Sequence, residues 1–396
     1  MSTSRIHLHP ADVQGLSRLA IDGVTGTAEL VEQLHYAIAR VSGPTLPARN
    51  GRMRGVSGLV YRSIHGITGL VGQSLDFGFR QILPRLPTAA STPQRERFLG
   101  VINGVLGDHL EAGENPLALR MQLRYQGSAL ATDVQHWPGK LTGRTDKLVV
   151  LIHGLCMTDH DCFVLANNIE QLDGATPIQL FYNSGRSIAQ NGKDLADLLD
   201  RLVCSQPDAC KELVLIGHSM GGLLARSAVH HAVLAKQGWT NRLTRLITLG
   251  SPHHCAPLER IGYQIDRALA LTPFSRPFTR LGRIRSAGIL DLRDGRLCET
   301  KRKRGNHPRK EPAPTLFPQQ TRMYAIAGTL AEQAHGLKSR TLGDGLVTVD
   351  SALGQQLPEV QRPPSQRQAV MTQTGHLSLL QDKKVALLIT NWLQDN

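Results

Sequence analysis

The stretch KELVLIGHSMGGLLARSAVHHAVLA, Lys211 to Ala235, decides how the rest of the chain is read. Glu212 to Ile216 is a short apolar run of strand type, Gly217-His218-Ser219-Met220-Gly221 is a G-x-S-x-G pentapeptide, and Leu223, Leu224 and Ala228 continue with helical spacing. The pattern predicts strand, sharp turn and helix, with Ser219 at the apex. Such a turn holds its central residue in strained dihedrals, so its flanks must lack bulk, and Gly217 and Gly221 meet that need. A helix that starts just after Ser219 aims free backbone N–H groups and a positive dipole end at the hydroxyl, which suits an oxyanion. Ser219 therefore reads as a nucleophile rather than as a polar residue ending a buried strand.

Outward from this turn, strands alternate with helices. Lys147 to Ile152 is a continuous apolar run ending in His153-Gly154-Leu155-Cys156, and Ile178 to Tyr182 is a second strand, followed by a helix with Leu195, Leu198, Leu199 and Leu202 on its apolar face. Later strands are predicted at Leu243 to Leu249, running into Gly250-Ser251-Pro252-His253-His254, at Met323 to Ala327 and at Ala369 to Thr372. A last helix carries Val385, Leu388, Ile389 and Trp392 on one side. This alternation means an α/β fold with a mostly parallel sheet covered by helices on both faces. About seventy residues, Cys255 to Arg322, separate the fourth and fifth of these strands, too many for a direct crossover, so a cap insertion is placed at about 255–322. Leu258 to Leu271 within it has helical spacing, and Lys301 to Lys310, KRKRGNHPRK, holds six basic residues and no acid.

Residues 1–115 are expected to form an N-terminal helical region, and 116–396 the sheet domain with its cap. Apolar residues between Ala11 and Val41 recur at three and four, predicting two amphipathic helices or one broken near Gly23 and Gly26. After a linker at Ser42 to Arg54, the segment Gly55 to Leu83 keeps a helical apolar pattern interrupted by Gly55, Gly58, Gly66, Gly69 and Gly72. A closely packed helix is the expectation there, and a helix lying on a membrane surface the alternative. Pro84 to Pro93 reads as a hinge, Phe98, Ile102, Val105 and Leu106 mark a further helix, and Met121, Leu123 and Tyr125 alternate as a strand does.

A serine hydroxyl is a poor nucleophile until a base removes its proton, and the imidazole that does so is held in its tautomer by an acid. Asp344, in Gly343-Asp344-Gly345, follows the fifth strand, and His376, in Thr374-Gly375-His376-Leu377, lies between the sixth strand and the last helix. The order Ser, Asp, His is that of α/β-hydrolases. Asp350 is the rival acid; the glycines on both sides of Asp344 favour Asp344. Of the 16 histidines, only His376 has the required place in the topology; His218, beside the nucleophile, is expected to point away. A tetrahedral oxyanion needs two N–H donors, assigned here to Met220 and Leu155, with Cys156 as alternative to the latter.

Composition bounds the remaining possibilities. With 41% hydrophobic and 19% charged residues the chain is globular rather than disordered. No apolar run is long enough for a membrane span, and the start MSTSRIHLHPADVQ lacks the core of a signal peptide, so a cytoplasmic location, with peripheral membrane contact as an option, is the expectation. Six scattered cysteines without a C-x-x-C pair read as free thiols, not as a zinc site or disulfide framework. The net charge of +13 falls to +7 without Lys301 to Lys310. That run reads as a solvated loop or as a contact for an anionic surface, and aromatics at 4% without a recognised module argue against specific nucleic-acid binding.

The set His153-Gly154-Leu155, Gly217-His218-Ser219-Met220-Gly221-Gly222, Gly250-Ser251-Pro252-His253 and Gly343-Asp344-Gly345 resembles the bacterial lipase/esterase branch of the α/β-hydrolase superfamily, including GPI inositol-deacylase-like proteins, over about Lys147 to Leu393. The resemblance implies the α/β-hydrolase fold and hydrolysis of small-molecule or lipid carboxylic esters by Ser219, Asp344 and His376, with no cofactor and no metal. Cys255 departs from the glycine common after the Ser-Pro-His motif, and residues 1–115 match nothing diagnostic. A thioesterase or acyltransferase with the same triad is the alternative chemistry, and a catalytically silent scaffold on a hydrolase fold is the alternative of another class.

Overall fold

The computed structural model describes residues 9–42, 53, 55–85, 91–130, 146–205, 210–253, 286–298, 315–334, 336, 339, 342–355 and 366–395. The expected cap helix Leu258 to Leu271 and the basic run Lys301 to Lys310 lie outside these residues. The chain divides into two compact units, one of residues 1–95 with 110–117 and the other of 96–109 with 118–396.

In the first unit, α1 (Pro10–Ser42) packs on α2 (Gly55–Ile82). The predicted break near Gly23 and Gly26 is absent, and α1 runs through both. A helical glycine costs about 1 kcal/mol in propensity but keeps its hydrogen-bonding groups, so without a proline the ladder continues. The hydroxyl of Thr27 also donates to Gly23 O at 2.7 Å. The two helices are pinned by Arg18 Nε to Asp76 Oδ1 at 2.8 Å, and Arg18 holds the Asp76 carboxyl below its ordinary range, chiefly through that hydrogen bond. The expected close packing at the glycines of α2 holds only in part: Gly58 meets Met53 and Gly72 meets Ile21, whereas Gly66 and Gly69 face open space.

The second unit is built on an eight-stranded sheet. Its strands are β1 (Gln122–Tyr125), β2 (Ser128–Ala129), β3 (Lys147–Ile152), β4 (Ala175–Phe181), β5 (Glu212–His218), β6 (Leu243–Leu249), β7 (Arg322–Thr329) and β8 (Gln366–Thr372), in the spatial order β2-β1-β4-β3-β5-β6-β7-β8. The six from β3 to β8 are parallel, and β1 and β2 add an antiparallel edge. The middle strands are apolar on both faces because both are covered. Leu148, Val150 and Ile152 of β3 and Leu213 and Leu215 of β5 pack with Leu195 and Leu199 of α5 (Ile188–Ser205) and Leu224 and Ala228 of α6 (Met220–Leu234). Val149, Leu151, Val214 and Ile216 face the other way, toward Leu165 and Ile169 of α4 (Phe163–Ile169) and Val385, Ile389 and Trp392 of the last helix, Lys383–Gln394. Each such side chain contributes about 1.5–3 kcal/mol on burial, so the alternation fixes which face every helix covers. No helix among the described residues is long and apolar enough to cross a membrane.

Candidate active site

The loops after β3, β5, β6, β7 and β8 leave the carboxyl ends of parallel strands, where open α/β sheets bind ligands. Their closeness is measured by glycines: a Cβ on Gly154 would lie 3.1 Å from the Ser219 Cβ, and one on Gly250 would lie 2.9 Å from Asp344 Oδ2 and 3.2 Å from His376 Nδ1.

Ser219 stands between β5 and α6 at φ 54°, ψ −123°, outside the helix and strand regions. For a residue with a side chain this strain costs on the order of 1–3 kcal/mol and must be held by its surroundings. Ser219 N–H donates to Leu249 O at 2.9 Å, and Gly222 N–H to Ser219 O at 3.1 Å. Bulk on either side is excluded, since a Cβ on Gly217 would meet Gly222 N at 2.4 Å and one on Gly221 would meet Ile152 O at 2.3 Å. Ser219 itself is half-buried.

Asp344 sits in a turn whose flanking Gly343 and Gly345 have φ of 52° and 93°. Its Oδ1 accepts the N–H groups of Leu346 at 2.9 Å and Val347 at 2.7 Å, which leaves Oδ2 facing His376 Nδ1 at 2.7 Å. Both side chains are buried, and His376 N–H donates to Asp344 O at 3.0 Å. A carboxylate on Nδ1 leaves Nε2 as the free basic nitrogen. Asp350, the rival acid, lies on the short helix Val349–Ala352. Ser219 Oγ and His376 Nε2 have no hydrogen-bond partner among the described residues, so the structure joins acid to imidazole but not imidazole to serine.

His218 departs from expectation. Rather than pointing away, its ring lies 4.8 Å from that of His376, and its Nε2 is 2.9 Å from His376 O. Complete burial, and then the nearby His376, push its pKa down to about 3, so the ring is neutral and Nε2 carries the proton it donates. The residue before Ser219 thus ties down the backbone of His376. His253 is also buried; its Nδ1 takes an N–H of Arg226 at 3.0 Å and its Nε2 meets Thr248 Oγ1 at 3.2 Å.

After β3, Cys156 N–H donates to Ser184 Oγ at 3.1 Å, whereas Leu155 N–H has no acceptor among the described residues. Met220, the first residue of α6, likewise has no intrahelical acceptor for its N–H. Burial pushes the Cys156 thiol up to about 12, so it stays protonated near neutral pH. Sequence reasoning missed what supports this loop, α3 (Pro93–Ala112). A Cβ on Gly104 would lie 2.3 Å from Cys156 Sγ and 2.9 Å from Cys156 N, so glycine permits the helix to reach the loop. The signal was there in Gly100, Gly104 and Gly107, three glycines at helical spacing. The same helix meets the middle of the 255–322 insertion, with Ser286 Oγ donating to Gly104 O at 2.7 Å and Asp108 Oδ2 accepting Ala287 N–H at 2.9 Å.

Glu96, Asp159 and His160 offer three ligand atoms within 4.8 Å of one another, the one such group among the described residues. A cation already sits there: Arg124 Nη1 lies 2.9 Å from Glu96 Oε2 and 3.3 Å from Asp159 Oδ1, with its guanidinium 3.7 Å above the Phe181 ring. Burial pushes the Glu96 carboxyl up, but hydrogen bonds from His160 and Arg124 outweigh it and hold the pKa below its usual value. This is a satisfied ion cluster rather than a metal centre.

Residues 142–275 match the PGAP1-like alpha/beta domain. The match spans β3 to β6 and includes Ser219, Met220 and Leu155, while Asp344 and His376 follow it. With the sheet order above, this domain has the architecture of an α/β-hydrolase carrying an N-terminal helical extension. Similar solved structures include an esterase of Pyrococcus furiosus (15% identity, 63% of this chain and 82% of that one, TM-score 0.40). A mature lipase of Bacillus licheniformis is another (17%, 64% and 92%, TM-score 0.39). So is the RedJ thioesterase of the prodiginine pathway in Streptomyces coelicolor (15%, 63% and 85%, TM-score 0.37). No curated protein matches the chain significantly.

Proposed function

We propose that the protein hydrolyses carboxylic esters through an acyl-enzyme on Ser219. The observation that carries this reading is the buried Asp344–His376 pair, 2.7 Å apart, at the strand ends beside a serine in a strained turn. In this reading Ser219 Oγ attacks the carbonyl carbon while His376 Nε2 takes its proton. The oxyanion is received by the N–H groups of Met220 and Leu155. His376 gives the proton to the departing alcohol, and Asp344 stabilises the imidazolium. Water then attacks the acyl-serine, losing a proton to His376, which passes it to Ser219 Oγ as the C–O bond to serine breaks and the acid leaves. Apo sites commonly show the serine–imidazole contact long, and it closes in the substrate complex.

Turnover of a p-nitrophenyl ester series from acetate to palmitate tests the reaction and reads the acyl length, with Ser219→Ala as control. Activity that survives Ser219→Ala would refute it. Acyl thioesters and added alcohol acceptors in the same assay sort an esterase from a thioesterase or acyltransferase.

A further inference from the structure

We propose that α2 docks the protein on the surface of an anionic lipid bilayer. At 100° per residue, Val56, Leu59, Val60, Ile67, Leu70 and Phe77 share an arc about 100° wide along the helix. They are exposed by 82, 58, 51, 64, 67 and 67%. No charged residue stands on that arc. The charged residues of α2 are Arg62, Asp76 and Arg80; Asp76 is turned to α1 and paired with Arg18. The face that packs on α1 carries Gly72 against Ile21 and His65 at 4.0 Å from Glu32. The helix thus presents a second apolar surface, aliphatic and aromatic, on the side away from α1.

The charge on this segment selects the occupant. Residues 51–85 hold five arginines and one acid. A second copy brings the same positive field and is repelled, whereas anionic headgroups complement it. Arg62 and Arg80 lie about 60° from one edge of the arc, where long stems lay apolar atoms along lipid while the guanidinium reaches phosphate. Gly66 and Gly78, on or beside the arc, have no atom within 4 Å of a Cβ position. At 28 residues the helix is about 42 Å long, yet it is not apolar enough to cross a membrane, so it lies along the surface.

The test uses the full chain and flotation with two vesicle types, phosphatidylcholine alone and phosphatidylcholine with roughly one third phosphatidylglycerol. The wild type should float with the anionic vesicles, less so in high salt. Ile67→Glu/Leu70→Glu/Phe77→Glu, at exposed positions, should weaken binding by about 100-fold or more with an unchanged melting temperature. Arg62→Gln/Arg80→Gln should weaken it by about tenfold or more. Failure of the wild type to bind anionic vesicles, or equal binding by the triple variant, overturns the proposal. So does a dimer in light scattering that the triple variant abolishes while no vesicle binding is found. Ser219→Ala must bind like the wild type, which keeps this inference separate from the ester reading.

Discussion

Acid should loosen the sheet unit through one residue, His218. An unperturbed histidine titrates near pH 6.5, and in the fold His218 is pushed down to about 3 by burial first and by His376 next. Its folded pKa lies below its unfolded one, so between these values the unfolded chain takes a proton that the folded chain refuses. Stability is therefore intact above about pH 6.5, falls as pH drops, and levels off below about pH 3. By pH 4 the loss from this one residue is on the order of 3 kcal/mol, a large share of a typical domain's stability. His218→Gln keeps an N–H near the position of Nε2, for the bond to His376 O, and cannot titrate. Urea unfolding at pH 7 and pH 4, followed by the fluorescence of Trp239 and Trp392 within the sheet unit, measures the difference. Glu96 and His230, which are not among the groups that shift His218, contribute alike in both proteins and cancel. The wild type should lose about 3 kcal/mol more than His218→Gln over this range. Equal losses would refute the assignment of a buried neutral ring.

Gly104→Val should lower kcat on a soluble ester by about tenfold or more, because the new side chain displaces the loop that presents Leu155; unchanged kcat would free that loop from α3. Asp344→Asn should reduce kcat by about 10⁴ and Asp350→Asn by less than about threefold, and the reverse order in steady-state assays would move the acid to Asp350. Iodoacetamide at neutral pH should modify exposed Cys204 while sparing buried Cys162, whose thiol burial pushes up; mass spectrometry that finds Cys162 alkylated in the folded protein would show that face of the sheet to be more open than described.

What was legible in the sequence was local. The G-x-S-x-G turn is a constraint on five consecutive residues, and the positive φ of both glycines around Asp344 explains why they favoured it over Asp350. The choice between Leu155 and Cys156 was not local, since it rests on the Ser184 hydroxyl from another loop. Neither was the contact of His218 with His376, which joins residues 158 apart. β4 begins at Ala175, three residues before the apolar run Ile178 to Tyr182, and it passes through Pro177, which is tolerated there because β1 pairs with β4 only from Gln179 onward. In α1, glycines were read as a break that an otherwise regular helix passes through. The placing of 96–109 with the sheet unit was beyond periodicity, which finds a helix but not the neighbour it serves.

The central claim is that Ser219 is a nucleophile activated by His376. Labelling with a fluorophosphonate probe, followed by mapping of the modified peptide, tests it most directly. The account predicts one adduct, on Ser219, absent in Ser219→Ala and formed about 10³-fold or more slowly in His376→Ala. An adduct on another residue, or labelling of Ser219 that is indifferent to the loss of His376, would contradict it.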